Sequence, residues 1–372
     1  MGLWFSLLMT FLSITGTLAI FSLEMDWLVN PEMRAAERVH VEDVAWGAAF
    51  DSLGEYPEYT FYTMSKLRES YFTLLAGGRT SWDESIRAWL QPHNGELAGI
   101  TRWYTIQRFF RELHRNLFMP TSVGVPIVSF LSLPLLISVT AGFIVYRRFW
   151  LGFFKKPRWE RNIRILSGDL HRLTGLWTSW FIALIAMTSL YYLIESAGYY
   201  EWGRDFRARS AAPPVFRPIE REDRLPNEFT GSELDIAIER AKRELPGLEV
   251  TGITFPGNSN DPLVVSGNLS AILVRARANG VYIDPSNGDV LGTFQGEELN
   301  LHERISEAVD PLHFGYFGGL GSRIIWFILG LGMVTMSVTG VIVYAKRLLI
   351  KERQNDSRVK IRSKDKQSLV NN

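Results

Sequence analysis

Ala141-Gly142-Phe143-Ile144-Val145-Tyr146-Arg147-Arg148 and Thr339-Gly340-Val341-Ile342-Val343-Tyr344-Ala345-Lys346-Arg347 close two apolar stretches in nearly the same way. Upstream of each closing lies a histidine, His114 and His313, at nearly equal separation. Two further apolar stretches open on Gly-Leu-Trp, at Gly2-Leu3-Trp4 and Gly175-Leu176-Trp177. The second is preceded by Leu170-His171-Arg172, whereas the place equivalent to His171 in the first falls three positions before Met1. The pattern predicts a four-span membrane helical bundle from an internal duplication, with histidines at span ends where they suit a metal cofactor. Either translation starts further upstream and restores a Leu-His-Arg-like sequence, or an inner metal is five-coordinate, differently ligated or absent.

Mean hydropathy of +0.01 decides nothing, because polar domains dilute apolar spans. Position decides. Leu3–Leu23, Leu117–Tyr146, Leu173–Ile194 and Ile324–Ala345 are uncharged and each about twenty residues or longer, the length that crosses a hydrocarbon core as a helix. Pro120, Pro126 and Pro134 predict a late start, a kink or a tilt in the second. Arg147, Arg148, Lys155, Lys156, Arg158, Arg161 and Arg164 follow that span, and Lys346, Arg347, Lys351 and Arg353 follow the last. Basic residues beside span ends favour the cytoplasm, so both termini are expected inside and both long polar segments outside. The first stretch lacks a basic n-region and a small-residue cleavage site, which reads as a retained helix.

No cysteine occurs among the 372 residues, which excludes disulfides, thiol catalysis, iron–sulfur ligation and c-type haem attachment by this chain. A net charge of +1 and no basic aromatic surface argue against nucleic acid as a partner.

The two external segments also match. The first reads as an amphipathic helix over Val41–Leu53 and strands over Tyr59–Ser65 and Tyr71–Ala76, then Ser85–Leu90 and a turn, Gln91-Pro92-His93-Asn94-Gly95-Glu96-Leu97-Ala98-Gly99. The second reads as a helix over Glu233–Leu245, strands over Leu248–Phe255, Pro262–Gly267 and Ala271–Ala276, and a turn, Pro285-Ser286-Asn287-Gly288-Asp289-Val290-Leu291-Gly292. Asn-Gly supports a tight hairpin because both residues tolerate positive φ. Tyr199–Glu228, with four prolines, is expected to be an irregular connection. The expected order is a span over 1–24, an external domain over 25–113, a span over 114–148 and a basic link over 149–170. A span over 171–197, an external domain over 198–312, a span over 313–347 and a tail over 348–372 complete it.

These residues resemble the PepSY-associated transmembrane family of bacterial inner-membrane proteins. The likeness rests on Leu170-His171-Arg172-Leu173-Thr174-Gly175-Leu176-Trp177, the turn Tyr282–Gly288, Asp310-Pro311-Leu312-His313-Phe314-Gly315, Gly318-Gly319 and Ser337-Val338-Thr339-Gly340, and covers essentially residues 1 to 350. The resemblance implies two periplasmic PepSY-like α+β domains on a bundle in the bacterial inner membrane. It also implies b-type haem, one or two groups, and reduction of ferric siderophores or other ferric complexes at the periplasmic face.

The residues themselves bear on that chemistry. Bis-imidazole ligation needs two histidines on facing helices around a buried macrocycle. A histidine at a span end also serves simply as an interfacial hydrogen-bonding group. Three at matched positions favour ligands: His114 and His313 toward the outside, His171 toward the inside. Arg115 and Arg172 stand beside them as candidate partners of haem propionates. His93 reads as a solvated turn residue, His302 as part of an acidic helix face, and His40 has no recognisable partner. With no nucleotide fingerprint, the electron donor is expected to be separate, a quinol or a flavoprotein. Two other classes stay open: a non-catalytic, membrane-tethered module that regulates a peptidase or assists assembly, and an accessory to iron uptake. The absence of Asp, Glu, Lys and Arg inside the spans weakens an ion-coupled transporter.

Overall fold

The computed structural model of the chain describes residues 3–201, 225 and 229–370. Helix α1 (Leu3–Ala19) is apolar on all sides, and α2 (Ser22–Val29) follows it at a 54° bend. The first stretch is therefore a broken pair of helices rather than the one helix expected to Leu23. At the bend Ser22 Oγ donates to the Ala19 carbonyl at 2.8 Å, occupying a group freed by the break.

Next come α3 (Trp46–Gly54) and strands β1 (Tyr59–Lys66), β2 (Leu74–Thr80), β3 (Ser85–Leu90) and β4 (Leu97–Arg102). Helix α4 (Ile106–Asn116) returns to the bundle, and α5 (Thr121–Phe130) with α6 (Ser132–Val145) makes one apolar span, Thr121–Val145. The late start after Pro120 agrees with expectation. Pro126 sits inside α5, and the break at Leu131 divides the span. Helix α7 (Ile163–Glu201) contains the next span. It continues through Tyr199–Glu201, where an irregular connection was expected; apart from Leu225, that connection lies outside the described residues up to Glu228.

The second polar segment supplies α8 (Gly231–Glu244), β5 (Glu249–Thr254), β6 (Leu263–Asn268), β7 (Gly280–Ile283) and β8 (Val290–Phe294). The strand expected at Ala271–Ala276 does not form: turns and a 3-10 helix at Ala276–Ala278 take its place. Helix α9 (Leu301–Phe314) leads to α10 (Gly319–Val370), whose apolar part is Gly319–Leu348. Three helices are thus long and apolar enough to span, or up to four if the bent pair counts as one.

His114 and His313 do not begin spans as expected. They lie in the last turns of α4 and α9, separate helices that end on left-handed residues, Leu117 (φ 53°) and Gly315 (φ 74°). A residue in that conformation stops a helix and redirects the chain, which makes each histidine helix a distinct element in front of its span.

All eight strands join one antiparallel sheet in the order β4-β3-β2-β1-β5-β6-β7-β8. The halves meet where Thr63, Met64 and Ser65 of β1 pair with Thr254, Ile253 and Gly252 of β5. Helices α3 and α8 cover one face over a core that includes Met64, Leu74, Leu90, Leu234, Ile253 and Ile283. On the other face of the first half, Met33, Phe72 and Trp89 form a second core toward the bundle. The bundle has its own core of Leu135, Phe181, Ile182, Ala186, Trp326 and Met333.

Both Pro-x-Asn-Gly turns form, with only their glycines left-handed, Gly95 at φ 76° and Gly288 at φ 73°. The asparagines act instead through their side chains: Asn94 Oδ1 accepts from Glu96 N at 3.1 Å and Asn287 Oδ1 from Asp289 N at 2.8 Å.

Candidate functional site

Helices α4 and α9 descend from the sheet and bring His114 and His313 together, with ring centroids 6.3 Å apart and planes tilted by 40°. Each ring is fixed by the preceding half-bundle helix. His114 Nδ1 lies 3.1 Å from the Leu12 carbonyl and 3.3 Å from Thr15 Oγ1, both on α1. His313 Nδ1 lies 2.9 Å from Thr188 Oγ1 on α7. A carbonyl only accepts, so His114 Nδ1 carries the proton. Thr188 Oγ1 donates to the Leu184 and Ile185 carbonyls, both at 2.9 Å, so it accepts from His313. Both Nε2 atoms are left with a lone pair, the form that binds a metal.

Gly16 makes room for the first ring, since a Cβ there would stand 2.6 Å from His114 Cε1. The second ring meets Tyr192 edge-on at 5.4 Å. The Tyr192 hydroxyl donates to Asp310 at 2.6 Å, and Asp310 is paired with Arg275. Arg275 also grips buried Glu307 at 2.6 and 2.9 Å, and Arg277 reaches it at 3.2 Å. The loop expected to be a strand therefore ties the second half of the sheet to the helix that carries His313.

At the far end of the bundle, His171 Nδ1 donates to the Met336 carbonyl at 2.8 Å, with its ring against Gly340. Its Nε2 is likewise left as an acceptor, and no second histidine joins it among the described residues. Arg172 is bonded to Asp169 at 3.3 Å. Buried Asp169 also holds Arg158 of the basic link through Nε at 2.8 Å and a second guanidinium nitrogen at 2.9 Å. Arg115 stands on the exposed side of α4, one turn from Arg111.

Of the remaining histidines, His40 and His302 are exposed, the latter 6.3 Å from the Tyr191 ring. His93 is half-buried rather than solvated, with a buried Nδ1 lacking a hydrogen-bond partner among the described residues.

Sequence reasoning missed Thr15 and Thr188. The signal was present: each lies thirteen residues after the glycine of its Gly-Leu-Trp. Fit to a bare ion is poor, because no group of three or more His, Cys, Asp or Glu able to hold a metal occurs among the described residues. Fit to haem is better, since a macrocycle supplies its own nitrogens and asks for axial ligands alone. Two metal–nitrogen bonds of about 2 Å each are compatible with rings at this separation.

No curated protein matches the sequence. A family model described as the PepSY-associated TM region matches residues 1–347, nearly the whole chain. The chain therefore belongs to the PepSY-associated transmembrane family, as a membrane protein that carries a sheet domain on its helices.

Proposed function

We propose that the protein carries electrons across the bacterial inner membrane and delivers them to a ferric complex, such as a ferric siderophore, in the periplasm. The observation that supports this most is the facing pair His114 and His313, both with Nδ1 anchored and Nε2 left to coordinate. A haem b bound between them would supply reversible one-electron chemistry. Leu12, Thr15 and Thr188 orient the imidazoles, and the surrounding helices exclude water. His171 is the corresponding ligand for a second group near the cytoplasmic face, where a quinol or flavoprotein would donate, and Arg172 is the cation beside it. The matched halves are read as an internal duplication with four spans, counting the bent pair, and both termini in the cytoplasm. Each electron delivered converts Fe(III) to Fe(II), a softer ion that hard oxygen ligands hold less well.

The test is colour. Purified full-length protein should show the reduced absorption bands of b-type haem, and His313→Ala should remove the haem of the sheet-bearing end together with ferric reduction. A folded, colourless wild-type protein would overturn the proposal in favour of a non-catalytic module. Full haem content in His313→Ala would show the ligand assignment to be wrong.

A further inference from the structure

Helix α4 carries basic charge that no ion pair among the described residues neutralises. Arg108 is committed to Glu112 at 2.6 Å, and Asp26 accepts from Ile106 N and Gln107 N at the helix start. Arg111 and Arg115, one turn apart and exposed, have no carboxylate within ion-pair distance among the described residues. Like charges at this spacing destabilise a helix. The matched helix α9 differs: its Glu307 and Asp310 are satisfied by Arg275 and Arg277, and Asp310 further accepts from Tyr192.

The depth of α4 makes the surplus more costly. His114, next to Arg115, packs against Leu12, Thr15 and Gly16 in the interior of α1, so the C-terminal turn of α4 sits below the rim of the bundle. A guanidinium exposed at that level of a membrane bundle is tolerated when it reaches a polar headgroup. Aromatic residues frame the two arginines. Trp103, Tyr104, Phe109 and Phe118 are all exposed, and Trp103 has the Arg87 and Arg108 guanidiniums over its ring at 4.7 and 4.9 Å. Rings of this kind collect at the membrane–water boundary. The backbone agrees. Leu117 and Phe118 are consecutive non-glycine residues with positive φ, 53° and 58°, a costly conformation that turns the chain while leaving Phe118 47% exposed.

We infer that Arg111 and Arg115 form a binding site for the phosphate of an anionic phospholipid headgroup at the sheet-bearing surface of the membrane, with Phe109 and Phe118 against its acyl chains. The site does not depend on haem, and it assigns Arg115 to a lipid rather than to a propionate.

Full-length protein in neutral detergent micelles is titrated with phosphatidylglycerol or phosphatidylcholine, and bound lipid is counted by native mass spectrometry. Wild type should prefer phosphatidylglycerol, with a preference that falls as salt rises. At about five-fold per charge, R111Q/R115Q should lose roughly thirty-fold of it. R111K/R115K should retain most of it, and R79Q, on a surface strand, should be unchanged. Melting in phosphatidylcholine separates loss of the site from loss of the fold. A double variant that melts like wild type and keeps its phosphatidylglycerol preference would overturn the inference. So would equal binding of the two lipids by wild type together with arginine-dependent binding of inorganic phosphate, which marks a free-anion site. Loss of haem from R115Q with lipid preference intact would return Arg115 to a propionate and also overturn it.

Discussion

Gly47 donates its backbone N–H to Asp235 Oδ1 at 2.9 Å, and Gly231 donates to Asp51 Oδ1 at 2.6 Å, so α3 and α8 cap one another across the middle of the sheet. Each helix reads Gly-x-x-x-Asp, and each aspartate satisfies the other helix's first turn. Replacing Asp235 with Ala should cost about 1 kcal/mol, the usual value of a lost N-terminal cap. Replacing it with Asn, which still offers an oxygen, should cost less.

The same contact predicts a pH dependence. Burial, aided by the charges of Asp51 and Glu239 and opposed by the Gly47 N–H, pushes the Asp235 carboxyl above its ordinary value. A raised carboxyl contributes stability that is complete below its unfolded-state pKa and is lost as pH rises through the folded-state value. Wild type should therefore gain on Asp235→Asn as pH falls from neutral into the acid range. Melting curves of the two proteins across that range check the sign, and a difference that stays constant would remove Asp235 as the cause.

The helices also approach too closely for side chains. A Cβ on Gly47 would overlap the Gly231 carbonyl and the Asp235 carboxylate, and one on Gly231 would overlap the Gly47 carbonyl. Backbone cannot yield as a flexible side chain can. Gly47→Ala and Gly231→Ala should each destabilise by about 1–3 kcal/mol, the range for overpacked sites. Because the residues touch, the double variant should cost less than the sum of the two, which a double-mutant cycle measures.

Much of this architecture was legible because it is periodic. Apolar runs marked the spans, and the Asn-Gly turns marked both hairpins. Spacing alone also singled out the histidines that the structure brings together. What was not legible depends on distant partners. Ala271–Ala276 has the apolar content of a strand, but Arg275 and Arg277 are drawn to Glu307, and no local pattern records a salt bridge about thirty residues away. The bend after Ala19 has no proline to announce it, and Arg323 of α10 meets Glu24 just beyond it at 2.5 Å. Thr15 and Thr188 were hidden for another reason. A threonine in an apolar helix commonly bonds back to its own preceding turn, as both do, and so gives no sign of a second role.

The basic link predicts an orientation that reporters can test. A reporter fused to the C-terminus should be read from the cytoplasm, and one inserted near Asn258, in the β5–β6 connection, from the periplasm. Asp169 bonds Arg158 and Arg172, which leaves Arg147, Arg148, Lys155, Lys156, Arg161 and Arg164 to set the bias. The reverse orientation would end the proposed direction of electron flow.

The two histidine anchors differ in a way that spectroscopy can read. His114 Nδ1 has two partners, the Leu12 carbonyl and Thr15, whereas the partner that fixes His313 Nδ1 is Thr188. Valine matches threonine in shape but cannot accept a hydrogen bond. Thr15→Val should leave the His114 tautomer in place through Leu12, with little change in haem retention. Thr188→Val should free His313 to rotate or to place its proton on Nε2, where it blocks coordination. Loss of such an outer hydrogen bond typically weakens metal binding about 10–100-fold. Haem occupancy and the low-spin absorption of the reduced protein should thus fall in Thr188→Val and hold in Thr15→Val, while melting temperatures of the two stay close. Equal losses in both variants would mean that the threonines act by packing. No loss in either would mean that the Nδ1 contacts do not select the tautomer.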